Sequence, residues 1–174
     1  KVDTAGNEDI QIVLKNIKDV NPDATVIRSA SHITIDDGNA IKGKKVLVIE
    51  DGPTLTHGGM LYGAGTIAAR QYGAGKIVDP KPHAVGLIKD ALDHYPMVKN
   101  LIPAVGYAPE QINDLEETVN NTPCDVVVIA TPVDLRGIIK IKRPTVRVKY
   151  EVKETGRPDL KDAIEKFMGK TFWR

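Results

Sequence analysis

The residues best equipped for chemistry lie in one glycine-rich stretch, Asp51-Gly52-Pro53-Thr54-Leu55-Thr56-His57-Gly58-Gly59-Met60-Leu61-Tyr62-Gly63-Ala64-Gly65-Thr66. Glycines carry no Cβ, so successive backbone N–H groups can turn inward as an anion-binding nest. A helix opening just after them adds its positive end. On that reasoning Gly58, Gly59, Gly63 and Gly65 form a backbone cradle for a phosphate or carboxylate; the alternative is a tight turn with close helix packing. Gly58 and Gly63 have the spacing of a P-loop, but Ala64-Gly65-Thr66 stands where Gly-Lys-Ser/Thr would be, so the motif is not a Walker A. His57 can donate to a phosphoryl oxygen or move a proton, against the plainer role of a solvated or capping histidine. Asp51 follows an apolar run directly and can serve as a base or Mg²⁺ ligand, against a turn-forming Asp-Gly.

Two further stretches carry charge. Asp79-Pro80-Lys81-Pro82-His83 is stiffened by its prolines, which would hold Lys81 and His83 as anion clamps or simply make a rigid turn. In Thr131-Pro132-Val133-Asp134-Leu135-Arg136, Arg136 can clamp a phosphate or pair with Asp134 on the surface. Cations mixed with carboxylates suit a polyanionic substrate with a divalent metal. They suit hydride transfer less well, because the glycines do not follow G-x-G-x-x-G directly after a strand.

Elements that would position these residues can be read from periodicity. Asn7 to Val20 has helical spacing in Ile10, Val13, Leu14 and Ile17, and Asn21-Pro22 stops it. Ala24 to Arg28 reads as a short strand. Val46 to Ile49 and Val126 to Ala130 are continuous apolar runs, as expected of strands covered on both faces. Between and after them come predicted helices at Met60–Tyr72, Ala84–His94, from Pro109 through Val119, and Asp159–Met168. Short strands are predicted at Ile77–Val78 and Leu101–Ile102, and an alternating, partly exposed one at Thr145–Val152. Strands alternating with helices predict an α/β, Rossmann-like, doubly wound and mostly parallel sheet with flanking helices. In such sheets ligands bind beyond the carboxyl ends of the strands, where all the charged stretches above fall.

Composition bounds the function. The 174 residues are 41% apolar with a formal net charge of +1, which fits a globular protein and argues against a dedicated nucleic-acid binder. The lone Cys124 excludes an internal disulfide and a cysteine zinc cluster and reads as a small buried residue. No apolar run reaches membrane-span length and no secretory signal is visible, so a cytoplasmic protein without a membrane partner is expected.

The string Val48-Ile49-Glu50-Asp51-Gly52-Pro53-Thr54-Leu55-Thr56-His57-Gly58-Gly59-Met60, followed by Tyr62-Gly63-Ala64-Gly65, resembles the cyclic 2,3-diphosphoglycerate synthetase family, whose relatives are often described as predicted GTPases. Ile77-Val78-Asp79-Pro80, Pro103-Ala104-Val105-Gly106-Tyr107 and Thr131–Arg136 extend the resemblance over essentially the whole chain. It implies ATP-dependent closure of an intramolecular phosphoanhydride with Mg²⁺. Asp51 and His57 would then be catalytic, Asp51 the metal ligand, and Gly58, Gly59, Gly63, Gly65, Lys81, His83 and Arg136 the substrate contacts. It also implies a preceding P-loop-type nucleotide-binding portion of the same protein, of which residues 1–40 would be a remnant and 41–174 a separate Rossmann-like domain. Lys1 and Asp3 resemble the end of the Asn-Lys-x-Asp motif that reads guanine, and Ser29 and Ala30 the Ser-Ala motif that supports the base, so ATP or GTP would be the nucleotide. The chain alone would turn over little or no nucleotide. A homodimer is compatible with this picture. The rival readings are a GTPase-like nucleoside triphosphatase (a hydrolase) and a non-catalytic domain that binds a phosphorylated metabolite.

Overall fold

The computed structural model describes residues 2–3, 5–104 and 106–171, with Thr54, Lys170 and Thr171 described through their backbone only. Its elements in order are α1 (Asn7–Val20), β1 (Ser29–Ile35), β2 (Lys45–Asp51), α2 (Gly52–Thr56), α3 (Ala64–Gln71), β3 (Lys76–Ile77), α4 (Gly86–His94), β4 (Ile102–Ala104), α5 (Pro109–Asn121), β5 (Val126–Ala130), β6 (Thr145–Glu154) and α6 (Leu160–Thr171). Short 3-10 turns occupy Lys81–His83 and Leu135–Gly137. The contacts divide the chain into two compact units, residues up to His32 together with those from Tyr150 on, and residues 33–149.

The larger unit is built on β2 and β5, which pair along their length and are buried almost throughout. They pair in parallel from Val46↔Val126 to Glu50↔Ala130. On its other side β2 has two short parallel partners in succession. β3 takes Lys45 and Val46, and β4 takes Ile49, Glu50 and Asp51. Beyond β5 lies β6, parallel through Val127↔Thr145 to Ile129↔Arg147. The sheet order is β1-β6-β5-β2-β3 with β4 on β2. Two backbone bonds bracket the β1–β6 pair, Asp36 N–H to Arg147 C=O and Thr155 N–H to Arg28 C=O, and their crossed order makes that edge pair antiparallel. The α/β, mostly parallel sheet with flanking helices is therefore present. Its core joins Val46–Ile49, Val126–Ala130, Ile88, Leu92, Leu101, Leu115 and Val119.

Two expected elements differ. Ala24–Arg28 is not a strand; the strand begins at Ser29, where β6 supplies a partner from more than a hundred residues away in the chain. The helix expected from Met60 starts at Ala64, and the preceding Gly52–Thr56 forms a separate short helix. Met60 and Leu61 are exposed, so nothing holds an earlier helical turn against the sheet.

The smaller unit contains α1 and α6, and among its described residues no apolar side chain is fully buried. Ile10, Val13, Leu14 and Ile17 of α1 instead line a cavity of about 270 Å³ with Val26 and Ile27.

Candidate functional site at the carboxyl edge of β2

The registers of the larger unit bring three strand ends to one level. Glu50 lies between Pro103 of β4 and Ala130 of β5, and Asp51 lies beside Ala104. The loop from Asp51, the Gly106-Tyr107 segment and the Thr131–Arg136 segment thus leave the sheet at the same edge, where ligands of such sheets bind. Asp51 is the N-cap residue of α2. Burial, and after it the Asp51 charge, raise the Tyr107 phenol above its ordinary value, so these two side chains sense each other. At the other end of α2, Thr56 Oγ1 donates to the Gly52 carbonyl at 3.0 Å and lies 2.9 Å from His57 Nδ1. His57 is exposed. The His57 and Gly58 amides donate to the Pro53 carbonyl, and Gly59 has φ +63° with open space where a Cβ would be.

The glycines farther along do something else. The Gly63 and Thr66 amides donate to Glu50 Oε1 at 3.1 and 2.8 Å, and the Gly65 amide donates to Glu50 Oε2 at 3.2 Å. The start of α3 is therefore an anion site, but its anion is the protein's own. Glu50 is only 2% exposed. Burial pushes its carboxyl above the ordinary value, against the opposing pull of the Thr66, Gly65 and Gly63 amide bonds. The Thr66 hydroxyl stands beside it without a well-formed hydrogen bond of its own among the described groups. A Cβ on Gly63 would lie 2.5 Å from Glu50 Oε2, and one on Gly65 would lie 2.7 Å from Ala130 Cβ and 2.8 Å from Val48 Cγ1. The close packing that these two glycines permit is present: α3 presses on β2 and β5 there. In the sequence Glu50 stands among the residues that follow the Val46 strand, but residue type alone gives it no role; a carboxylate ending an apolar strand, with Gly-Ala-Gly-Thr starting 13 residues later, is the signal it leaves.

The cations of the rim are already paired. Lys81 Nζ lies 2.9 Å from Asp93 on α4, which also takes Lys89 at 2.7 Å and whose carboxyl is thereby pulled down to about 2. The Lys81 amide donates to Asp79, and half-buried His83 closes the same 3-10 turn. The place beside Asp51 belongs to β4 and not to β3, from which this turn leaves. Arg136 forms a fork on Asp134, with Nε and Nη2 at 2.9 and 2.7 Å, and reaches Asp36 at 3.4 Å. Arg147 completes the cluster, 2.8 Å from Asp134 and from the Pro132 carbonyl. The guanidiniums hold the Asp134 carboxyl far below the carboxylate range.

In the smaller unit, Asp3 and the Ser29-Ala30 pair are brought together: the Ser31 amide donates to Asp3 at 3.3 Å and the Val2 amide to the Ser29 carbonyl at 2.8 Å. Lys1 lies outside the described residues. Cys124 is buried, and burial pushes its thiol up, as suits an inert packing residue. Among the described residues no group of three or more His, Cys, Asp or Glu side chains could hold a metal ion by itself, and no helix is long and apolar enough to cross a membrane. Mg²⁺ in phosphoryl-transfer sites needs only one or two carboxylates besides phosphates and water, a demand that Asp51 fits.

No family model matches the chain. Over 167 residues it is 53% identical to "Arginine synthetase ArcE" of Thermococcus kodakarensis, an alignment that takes in 96% of this chain and 37% of that protein. The chain is thus related to a synthetase and spans little more than a third of that relative's length.

Proposed function

We propose that this chain supplies the substrate-side site of an ATP-dependent synthetase, centred on Asp51, His57 and the Gly58-Gly59 turn. The observation that carries the reading is the 53% identity to a synthetase along nearly the whole chain, with the candidate loop inside the aligned length. In a synthetase the nucleotide supplies the leaving group that makes bond formation favourable. The residues here hold and orient. Asp51 accepts the cationic or protonated end of the substrate or shares its Mg²⁺, His57 donates to a phosphoryl oxygen, and Tyr107 borders the same space.

Two ligand classes compete. The loop resemblance points to cyclisation of 2,3-diphosphoglycerate; the relative's name points to arginine as the product that the site would hold. The internal occupation of the Gly63, Gly65 and Thr66 amides by Glu50 favours the second, because it removes from the site the donors a diphosphate would use. A carboxylate such as Asp51 is a suitable partner for a guanidinium, which it can meet through two parallel bonds. Calorimetric titration with arginine and with 2,3-diphosphoglycerate, each with and without Mg-ATP, tests this. Arginine binding that is lost in Asp51→Asn supports the proposal; diphosphoglycerate binding in its place restores the cyclase reading, and binding of neither overturns both.

The nucleotide side rests on a second set of residues. Asp3 beside Ser29–Ser31 supports a base-reading corner of a nucleotide domain, with ATP or GTP as its ligand. The absence of a fully buried apolar side chain in the described part of the smaller unit, and the apolar cavity along α1, support packing against a further portion of the same polypeptide. Residues 1–174 alone are then expected to hydrolyse neither ATP nor GTP, and robust hydrolysis in a phosphate-release assay would contradict this.

A further inference from the structure

The loop that carries Asp51, His57 and Gly59 is closed at its base by a residue that cannot itself touch a ligand. Glu50 begins the loop, and its carboxylate takes the amides of Gly63, Gly65 and Thr66, which end it, 13 to 16 residues farther on. Both oxygens are used, and the carboxylate is sealed between α3 and the strand ends of β4 and β5. The glycines make this approach possible, since a side chain at either Gly63 or Gly65 would enter the space of the carboxylate or of β2 and β5. A second fastening lies beside it: the Arg70 guanidinium stacks 4.7 Å over the Tyr62 ring and ties the descending limb of the loop to α3. Between these fastenings Leu55 is buried in the core, and the hydrogen bonds described within the loop include Thr56 to Gly52 and the His57 and Gly58 amides to Pro53.

We propose that Glu50 is the positioning residue of the substrate loop: its buried carboxylate staples the two ends of residues 51–62 together and so presets the geometry of Asp51, His57 and Gly59. The inference rests on the functional reading above for what the loop binds, but the staple itself can be tested without it. A pre-closed loop spares the ordering entropy a free loop of this length would lose on binding. Removing the staple leaves the ligand contacts in place and weakens binding through disorder.

The test uses residues 1–174 and the variants Glu50→Gln and Glu50→Ala, with amide hydrogen exchange read residue by residue and arginine and 2,3-diphosphoglycerate as the titrated probes. Glu50→Gln keeps one carbonyl oxygen for the Gly63 and Thr66 amides but turns an NH₂ group toward Gly65, so it retains part of the staple. Exchange at residues 57–66 rises at least tenfold in Glu50→Ala and by a smaller factor in Glu50→Gln, while Val126–Ala130 keeps its wild-type protection. Affinity for whichever probe the wild type binds falls in the same order. The proposal is overturned if loop exchange is unchanged, or if it rises only in step with Val126–Ala130, which would make Glu50 a general stability residue. Should the wild type bind neither probe, the functional reading fails while the exchange result still decides the staple.

Discussion

The close approach of α3 to the sheet can be measured by one methyl group. In Gly65→Ala the new Cβ would lie 2.7 Å from Ala130 Cβ, 2.8 Å from Val48 Cγ1 and 3.3 Å from Glu50 Oε1. None of these neighbours is a flexible chain end: Ala130 and Val48 belong to the paired strands β5 and β2, and Glu50 is held by three amides. Relief must come from moving α3 outward, which also stretches the bond from the Gly65 amide to Glu50. Overpacking of a tight core costs about 1–3 kcal/mol, and weakening one hydrogen bond to a charged group adds up to about 1 kcal/mol. Against this, Gly→Ala near a helix start gains at most about 0.5 kcal/mol in propensity. The net loss is about 2–3 kcal/mol, or a fall in melting temperature of about 5–10 °C for a chain of this size. Gly59→Ala is the control, because Gly59 has φ +63° and open space at the Cβ position, so it bears only a backbone penalty of about 1 kcal/mol. Urea denaturation followed by circular dichroism reads both. A Gly65→Ala loss no larger than that of Gly59→Ala would refute the claim that α3 is pressed against the sheet at this glycine.

Other consequences concern charge. The folded-state Glu50 carboxyl titrates above its unfolded value of 4.5. As pH falls through the folded value toward 4.5, the native state takes up the proton first, so this group's contribution to stability rises and is complete below 4.5. Wild type should therefore gain stability relative to Glu50→Gln between pH 7 and 4.5 in paired urea titrations; a relative loss would mean that the amide bonds outweigh burial. Asp93, pulled down to about 2 by Lys89 and Lys81, should titrate closer to its ordinary 3.8 in Lys81→Met, read from its side-chain carbon shift by NMR; an unmoved value would show that Lys81 does not hold it. Arg136→Ala should cost about 0.5–1 kcal/mol through its exposed pairs with Asp134 and Asp36. It should change 2,3-diphosphoglycerate affinity less than threefold, whereas an anion clamp would lose tenfold or more.

What the sequence shows and what it hides divide along physical lines. β2 and β5 are legible because a strand covered on both faces needs an unbroken apolar run, and α1 because Ile10, Val13, Leu14 and Ile17 repeat at helical spacing. β1 is not, because Ser29–His32 has no strong strand character of its own and is recruited by the distant β6. The start of α3 is hidden for a related reason: its cap is a carboxylate 13 to 16 residues upstream, outside the local motifs that mark helix starts. The sharing of one β2 edge by β3 and β4 leaves no local trace at all, yet it decides that Pro103–Ala104, and not the Asp79–His83 turn, stands beside Glu50 and Asp51. Arg136 is legible as a residue that clamps an anion or pairs with Asp134; the pairing is present, and the arrival of Asp36 and Arg147 at the same point leaves no local trace in the sequence.

Relative energies show where an external anion can still bind. Lys81–Asp93 and Arg136–Asp134 are exposed, solvent-screened pairs, so a phosphate could draw either cation away at small cost. The Glu50 staple is different. Its buried carboxylate holds three amides at once, and a phosphate arriving at Gly63–Thr66 would have to displace it and break all three bonds together. With the His57 and Gly58 amides held by the Pro53 carbonyl and those of Gly63, Gly65 and Thr66 by Glu50, the expectation for an external anion narrows to the Gly59 amide and the His57 side chain. Phosphate titration followed by amide NMR should move the Gly59 and His57 signals progressively while those of Gly63, Gly65 and Thr66 stay in place. Shifts at the latter three with Glu50 intact would mean that the carboxylate yields to an external anion, and that this closure of the loop is a gate and not a staple.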